Sequence, residues 1–436
     1  MLKKVIILTT ITLSASLALA NTTELSLVSS SVSKHPSVVE KANEITLQGI
    51  SVDQILAEDG LKINLSTNGK LPIKHSKGLN LSRADDLDRD YMDGVVTFSK
   101  NLYDFGINDY KVDAEKSRKE ALKLEYFQVF EVTLQKLLNT VNDVAKSNVV
   151  LTDLELSIAM VKVSIDKIKR RFTSGIGTVM DVRQAQLLLL DLETQMQTLQ
   201  RDHNTKLVIL RDEFGLAQSD LRIVNQTIDQ FNKVLIKTRQ GVGSMISKAI
   251  TYQRSMQIID LEKSALNSQI KSLKSENMPQ LNATITGIAY DVTRGLDEYE
   301  LYGGINLSMP LFDSGLSNIK QRGLTHRVKV QSDILGALNQ DKSLTLNKLT
   351  KDYKNLQIEY NSALQKQVNL SEKLTQLTQR MAVVDEGLLT KLQTQLQLDK
   401  TQRDILAYPY YMQSLNIDYW SLNEQLLEKI NIRPTH

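Results

Sequence analysis

From Ile107 to Ser174 the chain runs 68 residues without a glycine or a proline. After Gly175-Ile176-Gly177, a further 37 residues, Thr178 to Phe214, again lack both. Two long helices joined by a tight turn is the reading this imposes. At 1.5 Å per residue the first helix reaches ~100 Å, far beyond an ordinary globular helix. Leu134, Leu137, Val141, Val144 and Leu151, then Ile158, Val161, Ile165, Ile168 and Phe172, mark a seam at three- and four-residue steps. Val182, Ala185, Leu189, Leu192, Met196 and Leu199 continue the spacing on the second helix. So narrow a seam predicts coiled-coil packing with the remaining faces in water. A scaffold coiled coil with no site of its own has the same periodicity.

The first twenty residues have a basic start, Lys3-Lys4, an apolar run from Val5 to Leu13, and the ending Ala18-Leu19-Ala20. This pattern predicts a secretory signal over 1–20, with a retained anchor as the alternative. Removing it lowers the formal net charge from +3 to +1, because Lys3 and Lys4 go with it. So small a charge argues against a nucleic-acid partner. Cysteine is absent, so neither a disulfide nor a cysteine-linked lipid is available. The five histidines, 35, 75, 203, 326 and 436, show no metal-ligand spacing, and no cofactor motif is present. No paired catalytic constellation stands out, so an enzyme is not expected. Beyond residue 20 no run of 18 apolar residues occurs. An exported chain of this kind is either soluble or part of a β-barrel.

Along the chain, residues 21–34 read as loose, and a helix is expected from Pro36 to about Glu58. Leu61–Thr67 and Met92–Leu102 read as strands, the second alternating Val96, Phe98 and Leu102 with polar residues. A polar loop, 68–91, separates them. A further helix is expected over Ser244–Asn277, then strands Gln280–Tyr290 and Tyr299–Leu311. The next long helix has the most regular seam in the chain: Leu349, Tyr353, Leu356, Tyr360, Ala363, Gln367, Leu370, Leu374, Leu377, Met381, Val384 and Leu388. Gly387 is its turn residue, and Pro409 should kink the helix that follows.

This order occurs twice: helix, two strands, helical hairpin. Leu102–Gly106 echoes Leu311–Gly315 at an offset of 209, and Gly175 echoes Gly387 at 212. Pro36 and Arg254, which open the preceding helices, are offset by 218. Duplication is the simplest cause. It gives a first repeat over 21–215, a second over 216–430 and a tail over 431–436. Four strands cannot close a barrel, so membrane strands would need several subunits; three chains would supply twelve. A small soluble sheet packed on the helices is the competing reading.

The plan resembles the TolC outer-membrane factors over residues 35 to 430. Val96–Gly106, Arg171–Gln186, Asn277–Tyr290 and Gly304–Gly315 carry the likeness. The resemblance implies a mainly α fold with a membrane β part. Long coiled-coil hairpins plus four strands per chain would build, as a homotrimer, a 12-stranded β-barrel and an α-helical tunnel. It implies a location in the outer membrane, with the tunnel in the periplasm. It implies an export duct for a tripartite efflux pump or a type I secretion system, meeting a periplasmic adaptor and an inner-membrane transporter. Met309-Pro310-Leu311-Phe312-Asp313-Ser314-Gly315 matches the family's barrel–tunnel junction, which assigns Gly106, Pro310 and Gly315 there. Arg171, Phe172, Gly175, Thr178 and Gly387 are the implied adaptor-docking tips. Asp181, Asp385, Glu386 and Gln393 are the implied periplasmic entrance. The second tip departs from the family pattern. Val384 and Leu389 stand where an aromatic and an arginine are usual, and Gln393 and Leu396 stand where acids are. Asp385 and Glu386 are nearby but out of register. A trimeric coiled-coil surface protein or adhesin is the alternative function. A periplasmic adaptor is disfavoured by the presence of two hairpins and the lack of a lipoyl-like module. The cargo, small molecule or secreted protein, is not written in these residues.

Overall fold

The structure is a computed structural model that describes residues 26–70, 91–217, 219–222, 253–290, 298–383 and 387–432, with 292, 295 and 434. The segments expected as a signal (1–20) and as most of the first hairpin loop lie outside the described residues, as do Val384, Asp385 and Glu386. So does the start expected for the helix before Pro279.

In chain order the elements are α1 (26–33), α2 (Pro36–Glu58), β1 (Lys62–Lys70), β2 (Tyr91–Tyr103), α3 (Ile107–Thr173) and α4 (Val179–Phe214). Then follow α5 (Gln253–Ser275), β3 (Gln280–Ala289), β4 (Tyr299–Ser308), α6 (Leu316–Val383), α7 (Leu388–Leu422) and a last turn, α8 (Leu426–Ile430). Helices dominate, with one four-stranded antiparallel sheet in the order β1-β2-β3-β4. Among the described residues no helix is long and apolar enough to cross a membrane.

Three expectations are corrected, and a fourth feature, Pro409, is located. Residues 26–33 are helical, not loose, because Val28 and Val32 are fully buried one turn apart. β1 runs to Lys70, past the expected end at Thr67. β4 stops at Ser308, not Leu311, since Pro310 has no N–H to give a ladder. Pro409 lies inside α7, which continues through it to Leu422.

The contacts divide the chain into two compact units, each drawing on both halves of the sequence. One comprises residues up to Ala42, Glu125–Arg254 and Ala337–His436. Its core is the expected seam. Leu154, Ile158, Val161, Ile165 and Ile168 of α3 pack with Ala185 and Leu192 of α4 and Leu392 of α7. On α6 every described seam position from Leu349 to Met381 is buried or half-buried, although most of that helix is exposed. Tyr360 stacks on Tyr408 of α7 with centroids 4.0 Å apart. The other unit, Asn43–Leu124 and Ser255–Gly336, holds the sheet and the helix segments leading into and out of it.

Candidate functional site

The sheet is two-faced and uncovered. Pairing places Ile63 opposite Phe98, Phe98 opposite Ile285, and Ile285 opposite Gly303. One residue pair along, Leu65, Val96, Gly287 and Leu301 line up in the same way. Because side chains alternate, one face carries Ile63, Leu65, Val96, Phe98, Leu281, Ile285, Leu301, Ile305 and Leu307. The other carries Asn64, Ser66, Asn68, Thr97, Ser99, Asn101, Asn282, Thr284, Thr286, Asn306 and Ser308. Among the described residues no helix shields the apolar face: Leu301 and Ile305 are each 70% exposed. A soluble sheet packed on helices would bury such a face, at about 25 cal/mol per Å² of apolar surface. Strands of 10 residues, as in β3 and β4, reach ~33 Å and, tilted, span about 25 Å of hydrocarbon. Charge lies toward the strand ends: Lys62, Lys70, Asp93 and Glu300 on the polar face, and Lys100, paired with Asp59, on the apolar face. Both outer strands, β1 and β4, leave a hydrogen-bonding edge open.

Strand passes into helix by the same device in both halves. The Asp104 carboxylate accepts from the N–H of Gly106 at 2.9 Å and of Asn108 at 3.0 Å. Asp313 accepts from Gly315 at 2.9 Å and Ser317 at 2.8 Å. The Ser317 hydroxyl and these N–H groups hold the Asp313 carboxyl below the usual carboxylate range. Each Asp is followed by two residues at positive φ: Phe105 (56°) and Gly106 (80°), then Ser314 (55°) and Gly315 (82°). A side chain at positive φ is strained, and the paired N–H bonds offset that cost. Gly106, Pro310 and Gly315 therefore all sit in these strand-to-helix turns. Leu311 and Phe312 beside them are 90% and 87% exposed. The aspartates were not singled out in the sequence, although the repeated Asp-X-Gly was the available signal.

The turn between α3 and α4 is a complete capping unit. Gly175 N–H bonds to Phe172 O and Ile176 N–H to Arg171 O, with Gly175 at φ 79°, which is a Schellman ending. Thr178 then caps α4. Its hydroxyl accepts from Asp181 N–H at 3.2 Å, and Asp181 Oδ2 accepts from Thr178 N–H and Oγ1 at 2.9 Å each. Asp181 is thus held at its own helix end. Phe172, Ile176, Val179 and Met180 are all exposed around this turn, and Arg171 is half-buried. The turn at Gly387 is barer: φ is 91°, and no side chain caps α7. Gln393 is half-buried, while Leu389 and Leu396 pack into the α3–α4–α7 seam.

Among the polar contacts between α3 and α7 is one centred on Arg403. Arg403 of α7, 8% exposed, pairs with Asp153 of α3 at 3.1 Å and donates to Ser157 Oγ at 3.0 Å. Ser157 also bonds Asp399 at 3.3 Å, and Gln395 donates to Asp399 at 2.7 Å. Burial holds the Asp399 carboxyl above the ordinary carboxylate range, against those hydrogen bonds. Partners some 250 residues apart left no local signal in the sequence. Among the described residues no three His, Asp or Glu side chains gather as a metal site.

No family model and no curated protein matches the chain. Solved structures do. A membrane protein from Pseudomonas aeruginosa aligns with TM-score 0.73 at 13% identity, over 92% of this chain and 93% of its own. The outer membrane protein VceC from Vibrio cholerae aligns at 0.69 and 14% identity, over 95% and 97%. The CmeC outer membrane channel of Campylobacter jejuni aligns at 0.67 and 12%, over 95% and 87%. The chain has the fold of the TolC-family outer-membrane channels. The likeness spans both the helical hairpins and the sheet of the TolC-type fold, so neither is an addition to some other architecture. At these identities the match is one of backbone plan, and side-chain roles rest on this chain's own residues.

Proposed function

We propose that this chain is one protomer of a homotrimeric channel-tunnel in the outer membrane, with its helical hairpins in the periplasm. The observation that carries the reading is the uncovered two-faced sheet with two open edges. An apolar face next to lipid, a polar face next to water, and edges closed by neighbouring copies would satisfy every exposed group at once. The reading then makes the duct the exit of a tripartite efflux pump or a type I secretion system, with a periplasmic adaptor and an inner-membrane transporter as partners. The TolC-type fold supports this choice over an adhesin, whose stalk has no use for a lipid-facing sheet.

In this reading Arg171, Phe172, Gly175, Thr178 and Gly387 form the adaptor-docking tips. Exposed Phe172, Ile176, Val179 and Met180 beside a rigidly capped turn fit a partner's apolar contact. Asp181 and Gln393 line the periplasmic entrance with Asp385 and Glu386, the last two outside the described residues. Gly106, Pro310 and Gly315 serve the barrel–tunnel junction. The test is direct. Full-length protein should fractionate with the outer membrane, migrate as a trimer in mild detergent and conduct ions in planar bilayers. A water-soluble monomer without conductance refutes the proposal.

A further inference from the structure

Charge on the polar face changes sign along the strands. Lys62 lies at the end joined to the helices, level with Ser99, Thr284 and Gly304. The next row outward, Asn64, Thr97, Thr286 and Tyr302, is neutral. Glu300 lies one row further, level with Ser66, Val95 and Ile288, and Asp93 follows beside Asn68. The exposed Glu300 carboxylate accepts from the Tyr290 hydroxyl at 2.8 Å. By register Lys70 lies one row beyond Asp93, so the outer part keeps one net negative charge per chain against the one positive charge of Lys62.

Lys62 is exposed, and no ion pair engages it among the described residues. Toward the helices the rows of Asn101, Asn282 and Asn306, then of Gln280 and Ser308, are neutral. The carboxylates of the turns there are already committed. Asp59 lies 3.8 Å from Lys100 Nζ and accepts from Asn101 and Asn108, while Asp104 and Asp313 hold backbone N–H groups. Four residues of strand separate the Lys62 row from the Glu300 row, about 14 Å. Twelve strands tilted by about 40° enclose a backbone circle of radius about 12 Å, which puts such charges about 10 Å from the axis.

We infer that the bore of the barrel is bipolar, with a ring of three Lys62 ammonium groups on the tunnel side and a ring of Asp93 and Glu300 carboxylates on the outer side, and that this pair of rings rectifies ionic current. This rests on the trimeric channel reading above and adds the charge selectivity of its barrel. With the outer side positive, cations enter through the acidic ring and anions through the Lys62 ring, and both accumulate between them. With the outer side negative, each ion must enter through the ring that repels it, and the space between is depleted. A cargo of either single charge sign meets one repelling ring, whereas neutral or zwitterionic cargo meets none in full. Three unit charges about 10 Å from the axis change the local concentration of an ion about twofold at ~0.1 M salt, where the screening length is about 10 Å. At ~1 M salt that length falls to about 3 Å, and the rings no longer act on the axis.

Planar-bilayer recording of the full-length protein tests this. Protein is added to one chamber, so that the tunnel stays there and the outer mouth opens into the other. In ~0.1 M KCl the current at equal and opposite voltages should be about 1.2- to 2-fold larger with the mouth side positive, and in ~1 M KCl it should be symmetric. Lys62→Gln, an exposed polar exchange, should make the current symmetric and cation-selective. Asp93→Asn with Glu300→Gln should make it anion-selective, each variant being a trimer of unaltered mass. A symmetric current from the unaltered channel at the lower salt, an asymmetry of the opposite sign, or one that survives Lys62→Gln overturns the inference and leaves the channel reading standing. Absence of any conductance in the unaltered protein overturns the channel reading itself.

Discussion

Replacing Arg403 by Leu tests how far the buried ion pair between α3 and α7 holds the two hairpins of a protomer together. The guanidinium is 8% exposed and Asp153 22% exposed, so water replaces little of the lost pairing. Removing one partner of a buried ion pair costs about 3–5 kcal/mol, because the other charge stays buried alone. Partial access of Asp153 to solvent puts the expectation near the lower end, about 3 kcal/mol per protomer. Arg403→Leu with Asp153→Leu removes both charges from an apolar seam and should recover most of that loss. The pH dependence adds a sign. Asp399 has its proton held more tightly in the fold than in the unfolded chain, so its contribution to stability falls as pH rises through the folded value. Arg403 is one of the groups that lower it, so the variant pushes Asp399 higher still. The deficit of Arg403→Leu should therefore shrink as the buffer is taken from neutral toward acid. Denaturant unfolding of the assembled protein in detergent, followed by far-UV circular dichroism, measures all three. A single variant within about 0.5 kcal/mol of the parent would refute the argument, since surface changes fall in that range. So would a double variant no more stable than the single.

His203 is buried with no hydrogen-bond partner for Nδ1, and burial depresses its imidazole below the ordinary value despite Asp202. Stability tied to its neutral form is present above pH ~6.5 and lost as pH falls below it, so His203→Leu should flatten the acid limb of the stability profile. Gly175→Arg meets open space but sits at φ 79°, so it should cost about 1–2 kcal/mol locally. It should leave trimer in the membrane while abolishing export; loss of trimer would make the turn structural. Asp181 is engaged in its cap and Gln393 is neutral, so trivalent cations should block current weakly. Gln393→Asp should introduce tighter, salt-sensitive block, and bilayer recordings showing tight block of the unaltered channel would contradict this gate assignment.

Helix existence, seam positions and turns were written in the sequence because each depends on residues within a few turns of one another. Absence of glycine and proline set α3, the three- and four-residue spacing set its buried face, and Gly175 and Gly177 supplied the turn's positive-φ positions, which an L-residue resists. Strand faces were legible for the same reason, since alternation is a local property. Boundaries were not: β4 ended early at a proline, and residues 26–33 folded where Ser and Thr suggested looseness, because burial of Val28 and Val32 outweighed propensity. The segment expected as a signal, and Asp385 and Glu386 of the proposed entrance, lie outside the described residues. Only the tertiary structure could pair Arg403 with Asp153, whereas the Thr178–Asp181 cap joins residues three apart and is a local signal. Only the sheet register could show that the two hairpins pair alike, at shifts of 218 and 209. A repeat in sequence fixes which segments are alike, but which edges remain open depends on how the folded chain spends its hydrogen bonds.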